Sequence, residues 1–203
     1  MDVSKLPREV LDHRSPVWWG NALLVVIETV MFAILVGAYF YLRQNFTDWP
    51  PPQSNTVPAD FDPVPGLKYS TVNCIVILLS FIPMYVADRA ALKRKRRLVD
   101  AGLIGAVLFG VGSIALRFQE LWELKFRWSE NTYSSIVWLI VGLHLMHLFI
   151  GTLENLLMLV WISLKGLDDK HARDVRVTAV YWYWVIGTWI ILFGIVYVGP
   201  RYF

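Results

Sequence analysis

Five long apolar segments make up most of this 203-residue chain, and they constrain its fold more than any other feature. They cover residues 17–42, 71–87, 101–122, 133–164 and 178–198. A helix rises ~1.5 Å per residue, so about 20 apolar residues cross a hydrocarbon core that is ~30 Å thick. The sequence therefore predicts an all-α integral membrane bundle of five transmembrane helices, with residues 1–203 forming a single membrane domain.

The composition excludes the other broad classes of protein. Hydrophobic residues make up 56% of the chain and charged residues only 17%, whereas soluble domains have about 45–50% apolar and about 25% charged residues. Residues 75–79 are apolar at every position, which excludes the alternating strands of an outer-membrane barrel. The single Cys74 cannot form an internal disulfide, and a net charge of +3 gives no basis for nucleic-acid binding.

The basic residues predict how the bundle is oriented in the membrane. Residues 93–97 are all basic and lie between the second and third segments, and such loops are typically cytoplasmic. The basic N-terminal segment and residues 165–176 fall on the same side, so we expect a cytoplasmic N-terminus and an outer C-terminus. Residues 1–16 lack the apolar core of a signal peptide, so no processing is expected.

Proline and glycine predict two local features and one loop. Pro83 lies inside the second segment, where it should kink the helix. The third segment is rich in small residues, among them Gly102, Gly105, Gly110 and Gly112, which predicts a helix that neighbours approach closely. The outer loop 44–70 is predicted to be an extended cover because it contains six prolines: Pro50, Pro51, Pro52, Pro58, Pro63 and Pro65.

Polar side chains inside the predicted spans are the candidates for functional residues. A charged group at the centre of a span costs about 3 kcal/mol even on lenient insertion scales, so each one needs a partner or a purpose. One of these groups, Glu120, lies between Arg117 and Glu123 near the end of the third span. The candidate lipid-related or proton-related residues are Glu28, Glu120, His144, His147 and Glu154.

The fourth span places several of these residues on one helical face. His144, His147, Gly151 and Glu154 follow one another at spacings of three, four and three residues, so they form a polar stripe that should face the bundle or a cavity. A metal or a bis-histidine haem needs further ligands from elsewhere, which two imidazoles on one helix do not supply. We therefore favour hydrogen-bonded structural or lipid-contacting histidines, and predict no catalytic, cofactor-binding or metal-binding residue.

The sequence alone leaves two alternatives open. Glu120 follows Arg117 by three residues and can pair with it on one face, and the pair is either an ion pair at the membrane interface or part of a polar network. A proton-conducting role for Glu28 or Glu154 is the alternative to a structural one.

A family resemblance appears at these same residues. The stretch GLHLMHLFIG holds Gly142, His144, His147 and Gly151 and resembles the G-x-H-x-x-H-x-x-x-G signature of subunit III of haem-copper respiratory oxidases. Glu28 in ETVMFA is similar to the glutamate that this family carries in an apolar span.

The chain also departs from the family at four positions. Arg117 and Leu121 stand where the family has glutamine and an aromatic residue, and Tyr183 and Ile186 stand where the family has histidine and aspartate. The glutamate of the same motif carries over as Glu120.

The resemblance implies a function that the residues alone do not establish. It implies a non-catalytic, five-helix subunit III of a bacterial or archaeal terminal oxidase in the cell membrane, supporting complex stability, lipid binding and proton uptake. Its partners would be the haem-copper catalytic subunit I, other oxidase subunits and structural phospholipids, which the family holds in a cleft between the first two helices and the other three. This chain would hold no cofactor, because haem and copper belong to the partner subunits.

Two alternatives are weighed against this interpretation. The first is the related subunit of a nitric oxide reductase system, which shares the same sequence pattern. The second is a proton-coupled carrier that uses Glu28 and Glu154, although the sequence shows no pair of inverted halves of the kind that carriers use.

Overall fold

The computed structural model describes residues 16–51 and 62–202, and it is helical along almost all of that length. Five helical spans in it are long and apolar enough to cross a membrane, which confirms the predicted all-α membrane bundle. The basic N-terminal segment, Pro52 and Pro58 lie outside the described residues, and the orientation of the termini stays a prediction. The helices are α1 (Pro16–Arg43), α2 (Leu67–Leu79), α3 (Phe81–Leu92), α4 (Arg96–Trp122), α5 (Thr132–Lys165) and α6 (Asp169–Phe193).

Helix α6 continues as a short irregular helix toward the C-terminus. A π-helical segment covers Gly194–Val198 and a 3₁₀ turn covers Gly199–Arg201. The observed helices run beyond the apolar segments at several ends, because hydropathy marks only the part of a helix that matches the hydrocarbon core. The second span shows this best, since α2 and α3 together cover residues 67–92 where the apolar segment is 71–87.

The second span is interrupted close to the predicted kink. Pro83 has no N–H to donate to the carbonyl four residues earlier, which weakens the helix at this point. The interruption falls at Ser80, whose hydroxyl donates to the carbonyl of Ile77 at 2.5 Å. Trp182 Nε1–H donates to the same Ser80 oxygen at 3.0 Å, so the break is tied to α6.

Close approach of α4 to its neighbours depends on glycine. A Cβ at Gly102 would lie 2.6 Å from the carbonyl oxygen of Pro83 and 2.7 Å from the backbone nitrogen of Ala87. Gly105 likewise faces Pro83, and Gly110 faces Thr152 of α5. The small residues of the third span therefore set the spacing between α3, α4 and α5, as the sequence predicted.

We expect Gly102→Ala to destabilise the bundle. The new methyl group meets backbone atoms, which cannot rotate away, so α3 and α4 must separate at a cost of about 1–3 kcal/mol. Gly112→Ala is the matched control, since no heavy atom of the described chain lies within 4 Å of its Cβ position. Thermal unfolding in detergent measures both, and equal midpoints for the two variants would contradict this account of the helix spacing.

Helix α1 lies at the edge of the bundle. It packs mainly on α5 and α6, whereas α2 and α3 pack mainly on α4 and α6. Only 11% of the most apolar part of α1 is buried, compared with 50% for α5. The expected division into a first pair of helices and a separate group of three is therefore wrong for the described residues, because the first two spans pack on opposite parts of the same core.

The start of α6 is fixed by a capping side chain. Asp168 is the N-cap residue, and its carboxylate accepts a hydrogen bond from the backbone N–H of His171 at 2.8 Å. This backbone hydrogen bond lowers the pKa of Asp168 below its ordinary value.

The lowered pKa makes the cap sensitive to pH. A carboxyl with a depressed pKa in the folded state stabilises that state above its ordinary pKa, and the effect is lost as the pH falls through the lowered value. We expect Asp168→Ala to speed amide hydrogen exchange in the first turn of α6 at neutral pH, and the difference from the native chain to shrink in acid. Asp168→Asn is the control, because it keeps a capping oxygen without the charge. If the exchange rates of Asp168→Ala and the native chain differ by the same amount at every pH, the role of the carboxylate is contradicted.

Candidate functional site in the polar interior of the bundle

An ion pair between Arg117 and Glu120 lies inside the bundle. Arg117 Nη1 donates to Glu120 Oε2 at 2.7 Å, and the two side chains are 0% and 2% exposed. Both residues belong to α4 and lie three positions apart, so they share one helical face. The pair is therefore buried among the helices as part of a polar network.

Neighbouring helices supply further partners for this ion pair. Asn73 of α2 donates to Glu120 Oε2 at 3.3 Å, and the Ser113 hydroxyl donates to Asn73 Oδ1 at 2.5 Å. The guanidinium of Arg117 lies 3.5 Å from the centre of the Trp189 ring on α6, a cation–π contact. The ion pair thus connects three helices through buried contacts.

His144 joins the same network from α5. Its Nε2–H donates to the backbone carbonyl of Val185 at 3.1 Å, which leaves Nδ1 as an acceptor. Arg117 Nη2 lies 3.4 Å from that Nδ1 and is its donor. The imidazole is therefore neutral, and the network carries one positive and one negative charge that cancel. We name these residues the Arg117 network: Asn73, Ser113, Arg117, Glu120, His144 and Trp189.

His147 forms a separate contact with Glu28 of α1. Its Nε2 lies 3.0 Å from Glu28 Oε2, and its Nδ1–H donates to the carbonyl of Leu143 at 2.6 Å. Because Nδ1 carries its own proton, the Nε2 to Oε2 hydrogen bond needs exactly one further proton, on either atom. The Glu28 side chain is 24% exposed and that of His147 is 8% exposed, so this shared proton sits at the edge of the bundle.

Aromatic rings enclose the Glu28–His147 pair. The Phe32 ring lies 5.1 Å from the His147 ring and the Trp184 ring lies 5.4 Å from it, measured between centroids. Trp184 Nε1–H donates to Thr29 Oγ1 at 2.8 Å, which adds a second polar contact between α1 and α6. An apolar groove of about 260 Å³ lies beside the pair, lined by Thr29, Phe32, Ala33, Val36, Thr188, Ile191 and Leu192.

Glu154 lies apart from both networks. Its carboxyl group makes no hydrogen bond or ion pair with any residue that the structure describes. The ring of Tyr181 packs on Gly151, one turn earlier on α5. The polar stripe predicted on α5 therefore exists but divides, because His144, His147 and Glu154 face three different surroundings.

Sequence reasoning missed part of the Arg117 network. Asn73 and Ser113 supply its hydrogen bonds, and Trp189 supplies the surface beneath the guanidinium. Asn73 and Ser113 are polar residues in apolar spans, so the rule applied to charged residues would have found them. Trp189 carried no such signal, since an aromatic residue in a span is ordinary.

The two histidines of the stripe are built as hydrogen-bonding groups. Each of them has both ring nitrogens within hydrogen-bond distance of a protein atom. Over residues 16–51 and 62–202, no group of three or more His, Cys, Asp or Glu side chains is arranged to hold a metal ion. The fold and these contacts define a multi-pass membrane protein whose interior polar groups bind one another.

Comparison with known proteins identifies the family. The sequence model of the family cytochrome c oxidase subunit III matches residues 11–200. The chain is 29% identical over 191 residues to cytochrome c oxidase subunit 3 of Thermostichus vulcanus, covering 90% of this chain and 87% of that protein. It is 26% identical over 194 residues to the Petromyzon marinus protein of the same name, covering 91% and 72%.

A third relative is the probable cytochrome c oxidase subunit 3 of Rickettsia felis, 25% identical over 207 residues, with coverage of 92% of this chain and 71% of that protein. The chain belongs to the cytochrome c oxidase subunit III family. The family comprises non-catalytic subunits of haem-copper oxidases, so the functional class predicted from the sequence is confirmed.

We expect Glu120→Gln to destabilise the chain strongly. The change leaves the Arg117 charge buried without its counter-charge, and breaking a buried pair on one side costs about 3–5 kcal/mol. Glu123→Gln is the matched control, because Glu123 is exposed at the C-cap of the same helix. Unfolding of the full chain in detergent gives both values.

The double variant Arg117→Met, Glu120→Gln sharpens this test. Removing both charges removes the unpaired charge as well, so the double variant should be more stable than Glu120→Gln alone. The single variant Arg117→Met completes the comparison. If the loss of stability in the double variant equals the sum of the losses in Arg117→Met and Glu120→Gln, the ion pair is not what stabilises this part of the bundle.

Proposed function

We propose that this chain is the subunit III of a bacterial or archaeal terminal oxidase in the cell membrane. In this role it associates with the haem-copper catalytic subunit and other oxidase subunits, which hold the redox centres and transfer electrons from cytochrome c or quinol to oxygen while pumping protons. Family membership and the five membrane-spanning helices support the proposal.

The chain's own contribution is to hold α1 in place beside the bundle. Little of α1 is buried, so apolar packing alone holds it weakly. Three polar contacts fasten it instead: Asn21 Nδ2 to the carbonyl of Val177 at 3.3 Å, Trp184 to Thr29, and His147 to Glu28. The Glu28–His147 pair is the observation that carries this proposal, since it is the one contact among these that joins two ionisable side chains.

The outer side of α1 and the adjacent groove then serve as a lipid surface. Residues along α1 such as Leu23, Ile27, Val30 and Ile34 are apolar and exposed. The groove between α1 and α6 is lined almost entirely by apolar atoms and has the volume to take part of an acyl chain. A phospholipid held there would keep α1 seated on the bundle during turnover, which connects lipid binding with stability of the complex.

We expect Glu28→Gln to permit assembly and to shorten the working life of the oxidase. The amide still fills the site but loses the charge-assisted hydrogen bond to His147, and a loss of about 1 kcal/mol raises the population with α1 displaced roughly fivefold. The measurement is activity over many turnovers and phospholipid content of the purified complex, with Glu123→Gln as control. A turnover lifetime and a lipid content equal to those of the native complex would contradict the proposal.

A further inference from the structure

Three polar atoms of the Arg117 network have no protein partner. Arg117 uses Nη1 and Nη2 for its contacts with Glu120 and His144, but its Nε–H group has no acceptor among the described residues. Glu120 accepts both of its hydrogen bonds at Oε2, and its Oε1 accepts none from the described chain. The indole Nε1–H of Trp189 is likewise without a protein acceptor. The network therefore leaves two donors and one acceptor unused.

These three unused groups lie deep inside the bundle and close together. Arg117 and Trp189 are 0% exposed, and Glu120 is 3% exposed. Arg117 Nη1 lies 2.7 Å from Glu120 Oε2, and the Arg117 guanidinium lies 3.5 Å from the centre of the Trp189 ring. Because the side chain of Arg117 touches both of the others, the three unused groups border one region between α4 and α6.

Unused hydrogen-bonding groups at this depth destabilise the folded chain. A buried polar atom without a partner has lost its hydrogen bonds to bulk water and has formed none in their place. Buried polar groups in folded proteins therefore bind either another protein atom or an ordered water molecule. Trp182 of α6 shows the first solution, because its Nε1–H donates to Ser80 Oγ at 3.0 Å. Trp189, seven residues later on the same helix, has no such acceptor.

The mixture of unused donors and acceptor determines which ligand fits. An anion beside the N–H groups would be repelled by the Glu120 carboxylate, and a cation beside that carboxylate would be repelled by the Arg117 guanidinium. The charges of the ion pair already cancel, so any ion would add an uncompensated charge inside the membrane. A neutral water molecule accepts from an N–H group and donates to a carboxylate oxygen at the same time.

We propose that the Arg117 network contains a binding site for ordered internal water. A water molecule in this site donates to Glu120 Oε1 and accepts from the unused N–H groups of Arg117 and Trp189. These are about three hydrogen bonds, the number typical of a buried water. The water links α4 to α6 and hydrates the ion pair within apolar surroundings. The site is separate from the Glu28–His147 pair and does not depend on the proposed oxidase function.

X-ray radiolysis of the native full chain in membranes tests for this water. An X-ray pulse splits water into hydroxyl radicals, which oxidise side chains next to the water molecule that produced them, in bulk solvent or inside a protein. Trp189 and Trp182 are a matched pair for this experiment, since they lie on the same helix and are 0% and 1% exposed. They differ in the indole N–H, which has a protein acceptor only in Trp182.

The two oxidation rates decide the proposal. We expect Trp189 to be oxidised at least about tenfold faster than Trp182, because bound water contacts Trp189 alone. Mass spectrometry of peptides that separate the two residues gives both rates. Equal rates overturn the proposal: if both are slow, no water is bound in the network, and if both are fast, bulk water enters the bundle without a specific site.

The double variant Arg117→Leu, Glu120→Leu tests the assignment of the water to this network. It removes an unused donor and the unused acceptor together, and it leaves no unpaired charge buried. Oxidation of Trp189 should then fall to the rate of Trp182, whereas the exposed C-cap control Glu123→Gln should leave both rates unchanged. An unchanged Trp189 rate in a double variant with normal helical content, measured by circular dichroism, overturns the assignment.

A cryo-electron microscopy map of the native protein that resolves ordered water gives an independent readout without any substitution. We expect a water peak at hydrogen-bond distance, about 2.7–3.2 Å, from Glu120 Oε1 and from the unused N–H group of Arg117 or of Trp189. A map in which these three groups bind only protein atoms overturns the proposal.

Discussion

The buried ion pair of Arg117 and Glu120 is the interaction on which the interior of this bundle depends. A charge inside a membrane protein is stable only when an opposite charge and hydrogen bonds compensate it. Here Glu120 supplies the opposite charge to Arg117, and Asn73, His144 and Trp189 supply further contacts from α2, α5 and α6. Because each partner comes from a different helix, the network fixes how these helices are arranged around α4.

Helix α1, at the edge of the bundle, is held in place by a different kind of interaction. Glycine allows α3 and α4 to touch along their backbones, so that side of the structure is held by close packing. Helix α1 has little such packing and is fastened by polar contacts, chiefly between Glu28 and His147. An element held by a few polar contacts beside an apolar groove is well suited to bind lipid, which is the role that we propose for a subunit of a larger oxidase.

The sequence predicted the helices well and the site only in part. Hydropathy located all five spans because membrane burial of backbone groups permits few alternatives. Periodicity predicted that His144 and His147 share one face of α5, but it could not predict that they contact different helices. That division depends on α1, α4 and α6, whose positions follow from long-range packing. The expected pairing of the first two spans was also wrong. It came from the family resemblance, whereas their positions depend on long-range packing.

We propose that this chain works within an oxidase whose redox centres lie in other subunits. Purification of the affinity-tagged full chain from its native membranes, followed by optical spectroscopy, metal analysis and mass spectrometry of the subunits, tests it most directly. We predict co-purification with a haem- and copper-containing chain, and loss of both signals when the tagged chain is separated from it in detergent. A stable, cofactor-free oligomer of this chain alone, with transport activity of its own in liposomes, would contradict the claim.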